Sequence, residues 1–379
     1  MFTYQKSNRY FAQIADGLTG LASQELAGLG AMDVKPAFRG LYFNATAESL
    51  YRINLNTSLC TRITAPLLVF DCHSTNYLQQ TAAKIPWESL LSEEQTFAIT
   101  ATVANSKINH SQYAALCLKD VIVDYFRARS GNRPSIDKRN PDVWFDLHID
   151  RNKATISLDT SGGSLHRRGY RTEAVAAPMQ ETLAAAIIKF SNWDGERPLV
   201  DPMCGSGTLL GEALIHYCRI PANSQRPRFG FMTLPDFAPD VWARVKTEGE
   251  RQTRPLLPGL IMGSDLNPEA VATARANLSA LAHGAAIPIK TKGFQAIDAI
   301  HNSTIVCNPP YGVRMQRPGE ALRLLDEFGS FLKHRCTGST AYLYLGKREL
   351  LKSVGLRPSW KKPLSNGGLD GVLAKYELY

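Results

Sequence analysis

The chain has 379 residues and a formal net charge of +9, with 44% hydrophobic and 20% charged residues. That balance predicts a folded globular chain and excludes a disordered or fibrous one. No apolar run reaches the roughly 18 residues of a membrane span, and the N-terminus lacks the apolar core of a secretory signal. Seven cysteines without ligand spacing point to neither a disulfide framework nor a metal site. A cytoplasmic protein without membrane or metal is expected.

Charge is uneven along the chain. Residues 1–165 carry 16 Lys+Arg against 15 Asp+Glu, whereas residues 166–379 carry 27 against 19. The basic excess of the second part suits a polyanionic partner.

Residues 1–65 read as a small α+β domain. Tyr10–Ala15 and Gly40–Asn44 are strand-like, a leucine pattern from Leu18 to Leu29 is helical, and Glu48–Leu59 reads as a second helix. A second α/β domain is expected over residues 66–163. Phe97–Val103 and Ala154–Asp159 alternate as half-buried strands. Between them runs an amphipathic helix with Ala114, Leu118, Val121, Ile122 and Tyr125 on its apolar face. The wording of His110–Arg127 resembles the THUMP domain of RNA-modifying enzymes.

A stretch rich in arginine follows, ending in Leu165-His166-Arg167-Arg168-Gly169-Tyr170-Arg171. Arginine forks match phosphates and a tyrosine can stack on a base. Lys119, Arg167, Arg168, Tyr170 and Arg171 are therefore the candidate RNA contacts. The alternative is an interdomain hinge held by local salt bridges.

Residues 164–379 alternate helix and strand, which predicts a mostly parallel sheet. Leu199-Val200 ends in Asp201, and Pro202-Met203-Cys204-Gly205-Ser206-Gly207-Thr208 forms a glycine turn into an apolar helix. The glycines allow close backbone approach, and the helix start presents free N–H groups. A second strand ends at Asp265, with Asn267-Pro268 opening the next helix, and a third ends in Asn308-Pro309-Pro310-Tyr311. Ligands of an open parallel sheet bind beyond the carboxyl ends of its strands, so these acids and Asn308 should cluster. The connection Pro221–Pro258 is unusually long, and such lengths are often functional.

The two turns, in this order, resemble the class I S-adenosylmethionine-dependent methyltransferases that modify exocyclic amines. Their motifs supply backbone and an acid for the cofactor, with Asp265 on the ribose and Asp201 serving the methionine end. In the second turn Asn308 and the Pro309 carbonyl can accept the amine protons, Pro310 keeps the turn rigid, and Tyr311 can stack on the base.

Taken whole, the chain is similar to the THUMP-containing bacterial 23S ribosomal RNA guanine-N2 methyltransferases. The resemblance implies a Rossmann-like methyltransferase domain preceded by ferredoxin-like and THUMP domains. It also implies S-adenosylmethionine as cofactor and 23S ribosomal RNA or a large-subunit assembly intermediate as partner. Glu181 and Thr182 would lie near the cofactor's methionine end. One departure is Lys292-Gly293-Phe294-Gln295, where the family commonly has an acid near the adenine; Asp298 comes several residues later. An adenine-N6 methyltransferase and a non-catalytic ribosome-assembly protein remain alternative readings.

Overall fold

The computed structural model describes residues 1–171, 179–310, 319–366 and 369–379. The first 160 residues build one sheet of eight strands in the order β2-β3-β1-β4-β8-β7-β5-β6. These are β1 (Arg9–Ile14), β2 (Met32–Ala37), β3 (Gly40–Asn44), β4 (Cys60–Asp71), β5 (Thr96–Ala104), β6 (Ser135–Ile136), β7 (Val143–Asp150) and β8 (Lys153–Asp159). The expected boundary at 65/66 falls inside β4. Its first half pairs with β1 and its second half with β8, so the two units share one strand.

Among the strands that escape the sequence reading are β2 and β7. Met32-Asp33-Val34-Lys35-Pro36-Ala37 has no apolar alternation and contains a proline, which an edge strand tolerates. The other, β7, alternates buried and half-buried along its whole length, but its aspartates and histidine obscure the pattern.

Helices α1 (Thr3–Ser7), α2 (Thr19–Gly28), α3 (Ala47–Asn56), α4 (Thr75–Ala82) and α5 (Ser111–Ser130) belong to this unit. Tyr10, Ala12 and Ile14 of β1, with Val143, Phe145, Leu147 and Ile149 of β7, are buried on one face of the sheet. The alternate residues point the other way, onto a face that no described helix covers. The long helix α5 buries Ala114, Cys117, Leu118, Ile122, Val123 and Phe126, and ends at Gly131 in the left-handed region (φ 80°).

The second sheet has seven strands: β9 (Leu199–Asp201), β10 (Ile261–Asp265), β11 (Ile289–Thr291), β12 (Thr304–Cys307), β13 (Thr340–Leu345), β14 (Trp360–Asn366) and β15 (Leu369–Glu377). Their order is β11-β10-β9-β12-β13-β15-β14. The first five are parallel, and β15 is antiparallel to both of its neighbours. The turn expected at Asn366-Gly367-Gly368 has its glycines outside the described residues. Helices α6 (Glu181–Ser191), α7 (Thr208–Cys218), α8 (Pro239–Arg251), α9 (Pro268–Ser279) and α10 (Glu320–Arg335) complete this unit. The chain starts at β9, winds to β11 on one side and then to β13 on the other. The reversal at β9 opens a crevice at the carboxyl ends of β9, β10 and β12.

The long connection Pro221–Pro258 braces one unit against the other. Phe231 stacks on Tyr51 of α3 at 4.4 Å, with Phe229 and Trp242 packed beside it. The Arg226 guanidinium donates to the carbonyls of Ser161, Gly162, Ser164 and Arg167. Arg228 pairs with Asp142 at 2.5 Å, which holds the Asp142 carboxyl down at about 2.

Arg168 is the deepest of these ties. Its side chain is 0% exposed, as is that of its partner Glu212 on α7, 3.2 Å away. Its nitrogens also donate to the carbonyls of Thr57 and Ser58 in the first unit and of Leu165, and to Asn223 Oδ1. The Tyr170 hydroxyl donates to Glu212 at 3.2 Å from a buried ring.

Breaking one partner of a buried ion pair leaves the other charge uncompensated, at a cost of about 3–5 kcal/mol. Arg168→Ala should lower unfolding stability by that order in a denaturant titration. An unchanged midpoint would contradict this reading.

Candidate active site

The crevice is built from three strand ends and one glycine turn. Asp201 closes β9, and its Oδ1 accepts from the Met203 N–H at 3.1 Å. The turn is stapled to β10: Cys204 N–H donates to the Ser264 carbonyl at 2.9 Å, and Gly205 N–H to Asp265 Oδ2 at 2.8 Å. Gly205 and Gly207 both lie in the left-handed region, at φ 51° and 80°. A Cβ on Gly205 would meet nothing within 4 Å, so its backbone borders open space. A Cβ on Gly207 would instead press on Ala274 of α9 at 3.2 Å. One glycine serves the ligand side and the other the packing side.

Asp265 is half-buried. Its second oxygen, Oδ1, accepts from Asn267 N–H at 2.9 Å, and Asn267 in turn caps α9 by accepting from Glu269 N–H. Each carboxylate oxygen thus holds one backbone donor and keeps lone pairs for a further one. Asn308 follows β12, one strand to the other side of β9. Its Oδ1 is buried and has no hydrogen-bond partner among the described residues. Such an orphan acceptor is costly unless a donor arrives. Pro309 is buried and Pro310 half-buried behind it. Tyr311 lies outside the described residues.

Several expected site residues are elsewhere or enclosed. The Asp201 residue is 1% exposed, so its side chain shapes the turn from below instead of lining the open surface. Pro202, Cys204, Ser206 and Thr208 are buried too, which leaves Met203 and Gly205 on the open side of the turn. Glu181 and Thr182 are buried at the start of α6. Burial pushes the Glu181 carboxyl up, opposed by the Arg171 guanidinium 3.3 Å away.

That pair corrects the expectation for Arg171, which also donates to the Met179 carbonyl at 2.9 Å. It serves the methyltransferase unit. Arg168 and Tyr170 are corrected likewise, because fully buried groups cannot meet a phosphate or stack on a base. Of the candidate RNA contacts, Arg167 is exposed, and Lys119 is half-exposed and paired with Asp120 at 2.6 Å.

Two residues matter that the sequence reading passed over. Leu266 is 74% exposed directly after Asp265, and its Cδ1 lies 3.3 Å from where a Gly293 Cβ would stand. An apolar residue directly after a strand-ending acid is the signal. Glu212, the partner of Arg168, gave none: its distance in sequence hid the pairing. Near Gly293 the chain offers the Gln295 carboxamide in place of an acid, and Asp298 is exposed.

Against known families, residues 168–375 match the RMKL-like methyltransferase domain. The chain belongs to this methyltransferase family. Residues 72–159 match the THUMP domain and residues 9–64 the RlmL ferredoxin-like domain. A Synechocystis protein provisionally named an RNA methyltransferase is 39% identical, with 98% of this chain and 97% of that one covered. Ribosomal RNA large subunit methyltransferase K/L of Syntrophotalea carbinolica is 36% identical over 98% of this chain. This chain covers 53% of that relative's length. A methyltransferase, provisionally so named, was crystallised with SAH and superposes with a TM-score of 0.85 at 26% identity, 98% of both chains being covered. A Listeria monocytogenes structure titled a predicted N6-adenine-specific DNA methylase gives 0.84 at 26%, covering 99% and 97%.

The cofactor of such a family, S-adenosylmethionine, fits the residues present. The crevice offers an open glycine turn, a half-buried carboxylate with free lone pairs and an exposed leucine, which could hold its backbone-facing, ribose and adenine parts. Among the described residues, no His, Cys, Asp and Glu group could hold a metal ion, and no helix is long and apolar enough to cross a membrane.

Burial raises the Asp201 carboxyl from the ordinary 3.8 to about 8. Because the folded chain disfavours its ionisation, the stability linked to Asp201 is full at pH below 3.8 and is lost as pH rises to about 8. Asp201→Asn should therefore melt progressively higher than the parent chain as pH increases through that window. Melting differences that stay constant with pH would contradict it.

Proposed function

We propose that this chain is an S-adenosylmethionine-dependent RNA methyltransferase acting on the exocyclic N2 of a guanine in 23S ribosomal RNA, free or within a large-subunit assembly intermediate. The observation that carries the amine chemistry is the orphan Asn308 Oδ1, enclosed at a strand end beside the glycine turn. The THUMP and ferredoxin-like matches, with relatives named for ribosomal RNA, support the substrate class.

An exocyclic amine is a poor nucleophile because its lone pair is delocalised into the ring. Asn308 Oδ1 and the Pro309 carbonyl accept hydrogen bonds from its two N–H groups and turn the lone pair out of the ring plane. The cofactor would supply a methyl group on a sulfonium, the nitrogen–carbon bond forming as the carbon–sulfur bond breaks, with the neutral thioether leaving and one amine proton passing to water, so that transfer needs alignment more than a nucleophilic side chain. Asp265 would accept from the ribose hydroxyls with its remaining lone pairs, and Leu266 would cover the adenine. The Gly205 backbone would border the methionine end, near which the family resemblance also puts Glu181 and Thr182.

Asp265→Ala should weaken cofactor binding by ~1.5–3 kcal/mol, the range for hydrogen bonds to a charged group. Unaltered affinity by calorimetry in a folded variant would remove Asp265 from the cofactor site. Asn308→Ala should lower turnover far more than cofactor affinity, since its acceptor counts most once the amine rehybridises.

Asn-Pro-Pro-Tyr by itself does not choose the base, and one matched structure is titled for adenine in DNA. The deciding experiment methylates 23S RNA and duplex DNA in parallel with labelled cofactor and identifies the product nucleoside. N2-methylguanine in RNA is expected. N6-methyladenine in DNA would overturn the proposal.

A further inference from the structure

The face of the eight-stranded sheet turned away from the helices carries a groove of about 290 Å³ lined by residues of both N-terminal units. At its β1–β3 end the floor is aromatic. Phe11 and Tyr42 pack with ring centres 5.1 Å apart, and the Arg9 guanidinium lies 4.3 Å over Tyr42. The two rings are tilted by 58°, and Gly40 leaves room for the Phe11 ring, since a Cβ there would lie 2.3 Å from Phe11 Cζ. The rim is the β2–β3 hairpin tip, where Phe38 is 77% exposed and Arg39 lies 5.7 Å over its ring. The Arg39 carbonyl accepts from Ile14 N–H at 3.1 Å, which fixes the tip to β1. Lys35 stands in register with Tyr42 on the same face. The far wall is polar instead, with Thr102, His148, Thr155 and Ser157 presenting donors and acceptors.

We propose that this groove binds unpaired RNA, taking a splayed base onto the Phe38, Phe11 and Tyr42 rings. Arg9, Lys35 and Arg39 lie where the adjoining phosphates would run. Aromatic rings gathered in a recess suit a single strand, whose bases can be turned out. A continuous duplex keeps its bases stacked and offers only phosphates, 2′-hydroxyls and base edges. The acids of the groove, Asp146 and Asp150, stand on β7 at the polar wall, and at the rim Arg39 has the exposed Asp16 carboxylate 3.7 Å away. The two β7 acids can accept from base amino groups. The inference rests on the RNA reading of the methyl site and deepens it, since a single base pocket cannot choose one guanine among many nucleotides.

The test uses the full chain, with fluorescence anisotropy of three labelled probes: a short unstructured RNA, a duplex RNA of the same length, and an acidic peptide of matched charge. The parent chain should bind the unstructured RNA tightest. Phe38→Ala, at an exposed hairpin tip, should weaken that binding roughly 5- to 150-fold, the range for one lost base–aromatic stack. Arg9→Ala should weaken it too and flatten its salt dependence. Both variants should keep the parent's duplex affinity and melting temperature. Unaltered affinity for the unstructured RNA in both variants, equal affinity of the parent for duplex, or peptide binding lost in the variants would each overturn the groove. The nucleoside assay separates the two readings: RNA methylation by the parent with unaltered variant binding removes the groove alone, whereas absent RNA methylation removes the parent reading.

Discussion

A guanidinium with no access to water holds this molecule together. Arg168 leaves the first unit just after β8 and reaches backbone carbonyls of α3's end on one side and Glu212 of α7 on the other. Charge burial of this kind is tolerated only with near-complete hydrogen bonding. Its donors are accordingly spread over Glu212, Asn223 and three carbonyls. The Thr57 and Ser58 carbonyls come from the first unit and Glu212 and Asn223 from the second, so each unit must be in place for the charge to be satisfied. Arg226 repeats the device from the long connection, and the Phe229, Phe231 and Trp242 rings close over Tyr51 beside it.

The consequence is a fixed spacing. α7 begins at the glycine turn and carries Glu212 on its second turn, so the helix that opens the cofactor crevice is the helix to which the sheet unit is tied. The sheet unit and the strand-end crevice are thereby joined through one helix. This also explains the long excursion after α7: its length lets it cross to α3 and return to β10.

The crevice itself follows from topology. Starting the sheet at its centre puts Asp201, Asp265 and Asn308 at neighbouring strand ends, and the bonds from the glycine turn to Ser264 and Asp265 make that proximity rigid. Within this frame depth separates the roles. Asp201 is enclosed and raised by burial, whereas Asp265 keeps a face to the crevice and Asn308 presents an acceptor with no described partner.

By itself the sequence determined what is local or motif-borne: the glycine turn, the strand-ending acids, the Asn308-Pro309-Pro310 turn, α5, and the alternation behind a parallel sheet. Those signals lie within a few residues of one another, where spacing and propensity act directly. Burial and long-range pairing were decided by the tertiary structure. Nothing in Arg167-Arg168-Gly169-Tyr170-Arg171 distinguishes an arginine facing RNA from one facing a carboxylate 44 positions away, yet Arg167 is exposed and Arg168 is not. The same holds for β2 and β7, whose polar residues carry no strand pattern apart from the neighbours that pair with them, and for the fusion of two small sheets through β4. The aromatic groove on the uncovered face, too, exists only because β1, β3 and the β2–β3 tip meet there. Such features are properties of pairs distant in sequence, and a linear pattern carries no record of which distant partner will satisfy a buried charge or extend an edge.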